Sequence, residues 1–110
     1  MTTFDVVQKL YGVNGFVNEN PLLSQATTTP QELFGGNPQR LQLYVVNLGT
    51  NPAYVSFSPN PSATNGILLG ANGGFLELDF FTDTIVPTKP MYIASSGGSS
   101  DIYSYEVIAY

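Results

Sequence analysis

The sequence contains no cysteine and no histidine. Without cysteine there is no disulfide and no thiolate nucleophile. Without histidine as well, Cys/His zinc sites and histidine-based catalytic triads are excluded. Cations are almost as scarce: Lys9, Arg40 and Lys89 are the three in the chain. Nucleic-acid binding releases phosphate counterions through several Lys or Arg, and three scattered cations do not supply that. The same shortage argues against an anionic membrane surface. No apolar run approaches the roughly 20 residues that cross a bilayer. Charged residues make up 10 % of the chain, with a net charge of −5, against about 25 % charged in an ordinary globular domain.

What is present describes a folded domain. The 110 residues suit one domain, and a chain of this size buries roughly 65 % of the surface that its unfolded form exposes. Hydrophobic residues at 43 % and aromatics at 13 % provide a core and argue against disorder. The surface is left to Asn, Ser, Thr, Gln and Gly, a composition common where a protein lies against other protein. Stability then rests on packing and on association with partners. The start, Met1-Thr2-Thr3-Phe4-Asp5, lacks the basic and apolar regions of a signal peptide, so synthesis and folding in a cytoplasm are expected.

Turn punctuation is dense. Asn-Pro occurs four times, at 20–21, 37–38, 51–52 and 60–61, and Asn-Gly three times, at 14–15, 65–66 and 72–73. Asn tolerates left-handed backbone, Gly supplies it freely, and Pro cannot donate to a ladder. The pieces between these cuts alternate. Leu41, Leu43 and Val45 share one face. Val55 and Phe57 point inward while Ser56 and Ser58 point outward. Leu76 and Leu78 face a core while Glu77 and Asp79 face water. In the last segment, Tyr103, Tyr105 and Val107 share one face and Ile102 and Ile108 the other, so this strand is covered on both sides, by a partner or by the N-terminal segment. Residues 22–28 and 90–95 add two further strands. The expected fold is all-β, an antiparallel β-sandwich or jelly roll of about seven short strands over residues 21–110.

Two stretches read as helical. Thr29-Pro30-Gln31-Glu32 carries a Thr N-cap, Pro at the first position and Glu at the third. It predicts one helical turn through Leu33 and Phe34, ended by Gly35-Gly36. Phe4, Val7, Leu10 and Tyr11 recur at helical spacing, with Gly12 to end the helix, although Phe4–Val7 also fits a strand. Residues 1–20 therefore form a short helix or arm. Its apolar groups, Phe4, Val7, Leu10, Tyr11 and Phe16, are the candidate interface: they dock on a partner, or they cover an open end of the sandwich in the same chain. The Ser/Gly-rich stretch 95–101 reads as an exposed, mobile hairpin loop.

Little else carries chemistry. Glu77 and Asp79 lie on one strand face with Asp83 close behind. Paired carboxylates serve glycosidases when one sits in a cleft with a raised pKa, but polar-out alternation accounts for them more simply. Asp79 and Asp83 cluster oxygens as Ca²⁺ sites do, without an EF-hand-like spacing. Gly70-Ala71-Asn72-Gly73-Gly74 lacks the following helix and lysine of a phosphate loop and reads as a β-turn. Tyr44, Tyr54, Tyr92, Tyr103, Tyr105 and Tyr110 suit protein interfaces or core, and alternatively sugar stacking. No catalytic residue, cofactor or metal is expected.

The run Val46-Asn47-Leu48-Gly49-Thr50-Asn51-Pro52-Ala53-Tyr54-Val55-Ser56-Phe57, followed by Ala63-Thr64-Asn65-Gly66-Ile67-Leu68-Leu69 and Tyr92-Ile93-Ala94-Ser95-Ser96-Gly97, resembles small β-sandwich proteins of tailed-bacteriophage particles. The resemblance covers roughly residues 40–108 and lies in turns and strands, with no catalytic signature. It implies a head decoration or cement protein of the virion surface. The partner it implies is the major capsid protein, and copies of the chain itself as a homo-oligomer. A glycan-binding module of a phage fibre or tail is the alternative. The pattern departs at Gly98-Ser99-Ser100, which lengthen the last loop.

Overall fold

The structure is a computed structural model that describes residues 15–19 and 23–110. The helix expected over residues 3–11, and with it Phe4, Val7, Leu10 and Tyr11, lies outside the described residues. Among the described residues nine strands follow in order: β1 (Gly15–Glu19), β2 (Gln25–Ala26), β3 (Gln31–Phe34), β4 (Arg40–Asn47), β5 (Ala53–Ser56), β6 (Ile67–Leu69), β7 (Phe75–Asp79), β8 (Met91–Ser95) and β9 (Ser100–Ala109). A one-turn helix α1 (Phe80–Asp83) and a 3-10 turn (Val86–Thr88) connect β7 to β8.

The strands form two antiparallel sheets. One runs β1-β9-β4-β7, with β2 also paired to β9, and the other runs β3-β8-β5-β6. Apart from β1 with β2 and the β5–β6 hairpin, consecutive strands change sheet. That interleaving is the jelly roll of two Greek keys. Strand β9 is central: β4 pairs along one side from Arg40↔Ile108 to Asn47↔Ile102, while β1 and β2 share the other. Its two faces differ: Ile102 and Ile108 are buried, whereas Tyr103 is exposed and Tyr105 and Val107 are partly so, so the described residues do not cover the strand on both sides.

Period-two alternation places the core between the sheets. Leu43 and Val45 of β4, Ala53 and Val55 of β5, Leu69, Met91, Ile93 and Ile102 are buried there, with Leu76 and Leu78 packed against them. Each large side chain contributes on the order of 1.5–3 kcal/mol of burial. The ladder shifts register between Arg40 and Gln42. That bulge takes Leu41 out of step with Leu43, and Leu41 is only partly buried.

Three local expectations are corrected. Residues 31–34 form a strand, with no helical turn. Pairing with β8 buries Leu33 and Phe34, whereas a single isolated turn fixes several dihedrals for one hydrogen bond. Pro30 precedes an edge strand, where a missing N–H is tolerated. Phe57 does not point inward: it is 45 % exposed, and Ser56 is buried. The Ser56 hydroxyl accepts from Ser58 N at 3.1 Å, a local turn that ends β5 before Phe57. In the 95–101 loop the exposed part is residues 96–99 and Asp101, whereas Ser95 and Ser100 are buried. Ser95 Oγ donates to the Gly98 carbonyl and Asn51 Nδ2 to the Ser99 carbonyl.

Glycine is required where the 48–51 loop crosses β9. Leu48 N and Gly49 N both donate to the Asp101 carbonyl, at 2.8 and 3.0 Å. A Cβ on Gly49 would meet Asp101 N at 2.6 Å and Ser100 Cα at 2.8 Å, closer than such atoms come. Gly49→Ala is expected to destabilise by about 1–3 kcal/mol, the usual scale of overpacking. Thermal unfolding measures it, and an unchanged midpoint would mean that the loop is not seated on β9.

Candidate functional site

The sequence-predicted carboxylates lie on the outer face of the β1-β9-β4-β7 sheet and are held locally. Glu77 Oε1 accepts from Gln42 Nε2 at 2.9 Å. Asp79 caps α1: its Oδ1 accepts from Thr82 N at 3.0 Å and from Thr82 Oγ1 at 3.1 Å. Asp83 Oδ2 reaches back to accept from Asp79 N at 3.0 Å. This reciprocal arrangement starts the helix as a capping box does. Its signal, Asp79 followed by Thr82 and Asp83 after an alternating strand, is present in the sequence beside the surface-acid, carboxylate-pair and Ca²⁺ readings. Among the described residues no group of three or more His, Cys, Asp or Glu is gathered to hold a metal.

The second place of interest is a cleft of about 500 Å³ between the sheets, lined by Asn18, Leu23, Glu32, Phe34, Arg40 and Glu106 among others. Arg40 is 4 % exposed. Its Nε donates to Glu106 Oε2 at 2.7 Å, Nη1 to the Pro87 and Lys89 carbonyls, and Nη2 to the Gly35 carbonyl at 2.5 Å. The guanidinium also lies 5.1 Å from the Phe34 ring centroid. Glu106 Oε1 accepts from Asn18 Nδ2 at 3.1 Å. These charges are occupied in joining β4, β9, β1 and the 35–37 and 87–89 loops. Sequence reasoning missed the pair, because Arg40 and Glu106 come together only through the β4–β9 register.

The third is the outer face of the β1-β9-β4-β7 sheet. Directly opposed residues of an antiparallel pair share a face. The pairs Val46↔Phe75, Val46↔Tyr103, Tyr44↔Tyr105, Val107↔Val17 and Tyr105↔Glu19 therefore gather one surface. Tyr44 stacks on Tyr105 at 5.2 Å and 22°, and on Phe75 at 5.9 Å and 26°; Tyr103 tilts against Tyr105 at 6.3 Å. Phe75 is 61 % exposed, Val17 65 % and Tyr103 40 %. Tyr103 donates to Glu19 Oε1 at 3.2 Å. Its phenol is held above the ordinary value, first by desolvation, slight for so exposed a group, then by that hydrogen bond and the Glu19 charge.

Of the predicted interface residues, Phe16 is placed: it sits in β1 opposite Ile108, on the side away from the tyrosines, and its ring lies 5.6 Å from Tyr110. The shared face of Tyr103, Tyr105 and Val107 was legible in the sequence, but its extension to Tyr44 and Phe75 required the register. Among the described residues no helix is long and apolar enough to cross a membrane.

No family model matches the sequence, and no curated protein does. Among solved structures, a chain of the Bacillus endospore appendages, described as a novel family of disulfide-linked pili, is similar with a TM-score of 0.48 and 11 % identity. The match covers 89 % of this chain and 85 % of that one. The present chain contains no cysteine.

Proposed function

We propose that the chain is a non-enzymatic structural protein of a virion, a head decoration or cement protein that binds the outer surface of a phage head and stabilises it. The observation that carries this reading is how the side chains are deployed. The acids of the sheet face are engaged in local hydrogen bonds, whereas a stacked aromatic surface is left open to a partner. Exposed aromatics on a rigid sheet give contact area at low entropic cost. The resemblance of residues 40–108 to phage virion proteins supports it, and the jelly roll, which is common in capsid proteins, agrees by analogy of fold. The major capsid protein is the partner, with neighbouring copies of the chain beside it.

The test is the copy number in purified particles, measured by quantitative mass spectrometry against the major capsid protein. A copy number on the scale of the capsid protein is expected. A few copies per particle would move the chain to a fibre or tail and favour glycan binding there, and absence from particles would overturn a virion role.

A further inference from the structure

We infer that the outer face of the β1-β9-β4-β7 sheet is the surface that docks on the head, and that the capsid surface it meets is apolar at its centre and rimmed by Lys or Arg. This deepens the proposed function and rests on it.

The centre of the face is Phe75, Tyr44, Tyr105 and Tyr103, with Val46, Val107 and Val17 beside them. Acids surround it: Glu19 on β1, Glu77 and Asp79 on β7, and Asp101 at the start of β9. Among the described residues no cation on this face offsets them. Among the described residues the strands of this sheet carry one cation, Arg40, and it is buried on the opposite side with Glu106. Lys89 lies on the connection to the other sheet. An exposed apolar patch of this kind marks an interaction site, and its sign selects the occupant.

A second copy does not fit, because its rim would bring only further acids to Glu19, Glu77, Asp79 and Asp101, with no exposed cation of the described sheet strands to meet them, and like charges across an interface are costly. At Tyr44, the middle of the face, a sugar is disfavoured by the ring geometry. Sugar stacking needs an open ring face, and Tyr44 is flanked by Phe75 from β7 and by Tyr105 from β9, so its two faces are already covered. What the face presents around Tyr44 is phenol hydroxyls and carboxylates, beside the exposed Phe75 ring. Guanidinium and ammonium groups donate to those oxygens, and charge-assisted pairs of this kind are the strong ones.

The test measures binding of the full chain to purified heads assembled without it, at low and at high salt. Wild type is expected to bind, more weakly as salt rises. Phe75→Ser, at an exposed position, is expected to weaken binding about tenfold or more, as truncation of an interface aromatic does, with its melting temperature unchanged. The double variant Glu19→Lys/Glu77→Lys is expected to weaken binding and to remove the gain at low salt. Leu68→Ser, 59 % exposed on the other sheet, is the control and is expected to bind as wild type does. If wild type binds and both face variants bind equally well, the docking face lies elsewhere and the decoration role stands. If wild type does not bind heads, both readings fall. A glycan retained by wild type and lost by Phe75→Ser, with no binding to heads, would replace the capsid with a sugar.

Discussion

Asn47→Leu is expected to cost about 3–5 kcal/mol, a large part of the 5–15 kcal/mol that holds a domain of this size together. The side chain is fully buried at the end of β4, and every hydrogen-bonding position of its amide is used. Nδ2 donates to the Asn51 carbonyl at 2.8 Å and to the Leu69 carbonyl at 3.1 Å; Oδ1 accepts from Gly49 N at 3.0 Å and from Ser100 Oγ at 2.7 Å. Leucine has similar bulk, so little cavity opens. The loss comes instead from stranding the Asn51 and Leu69 carbonyls and the Ser100 hydroxyl, each worth about 1–3 kcal/mol where water does not reach, while Gly49 N keeps the Asp101 carbonyl. Asn47→Asp separates shape from hydrogen bonding. It keeps both acceptances but turns an oxygen toward two carbonyls, so it too is expected to be strongly destabilising at neutral pH. Urea unfolding with a common slope measures both. A Leu variant within about 1 kcal/mol of the parent would mean that water replaces the amide.

Arg40→Met is expected to cost about 3–5 kcal/mol, because removing one partner of a buried pair leaves the other uncompensated. Glu106 would lose its guanidinium, and the carbonyls of Gly35, Pro87 and Lys89 would lose a shared donor. Glu106→Leu is expected to be nearly as damaging from the other side. The double variant Arg40→Met/Glu106→Leu then recovers part of the loss, since a buried ion pair exchanged for apolar groups of similar volume is often close to neutral. A double-mutant cycle reads the coupling directly. Strict additivity would mean that the pair contributes only as two independent side chains.

The two sites differ in how far the sequence discloses them. Alternation in Leu43–Val45 and in Leu76–Leu78, cut by Asn-Pro and Asn-Gly, was enough for an antiparallel sandwich, because strands buried on one face obey that period whatever their neighbours. Residues 31–34 defeated the same reasoning. Their capping residues were real, but the burial of Leu33 and Phe34 against β8 outweighed a local preference of a few tenths of a kcal/mol per residue. The aromatic face was half visible: Tyr103 and Tyr105 declare a shared side, but only the pairing of Tyr44 with Tyr105, and of Phe75 with Val46, makes them one surface. The Arg40–Glu106 pair gave no local signal, since nothing in either segment points to the other.

Strand β9 imposes an order on folding. It is the hub of its sheet, yet its ladder partners are remote in the chain: Gly15 meets Ala109, Gln25 meets Asp101, and Asn47 meets Ile102. Loop-closure entropy is spent before any of these contacts repays it, so refolding belongs in the millisecond-to-second range of high-contact-order β-proteins, with none of the microsecond behaviour of local folds. Until β9 docks, β4 offers an unpaired edge with Tyr44 beside it, open to pairing with another chain. Dilute refolding is therefore expected to outperform concentrated refolding, even though the finished sheet encloses β4 between two neighbours.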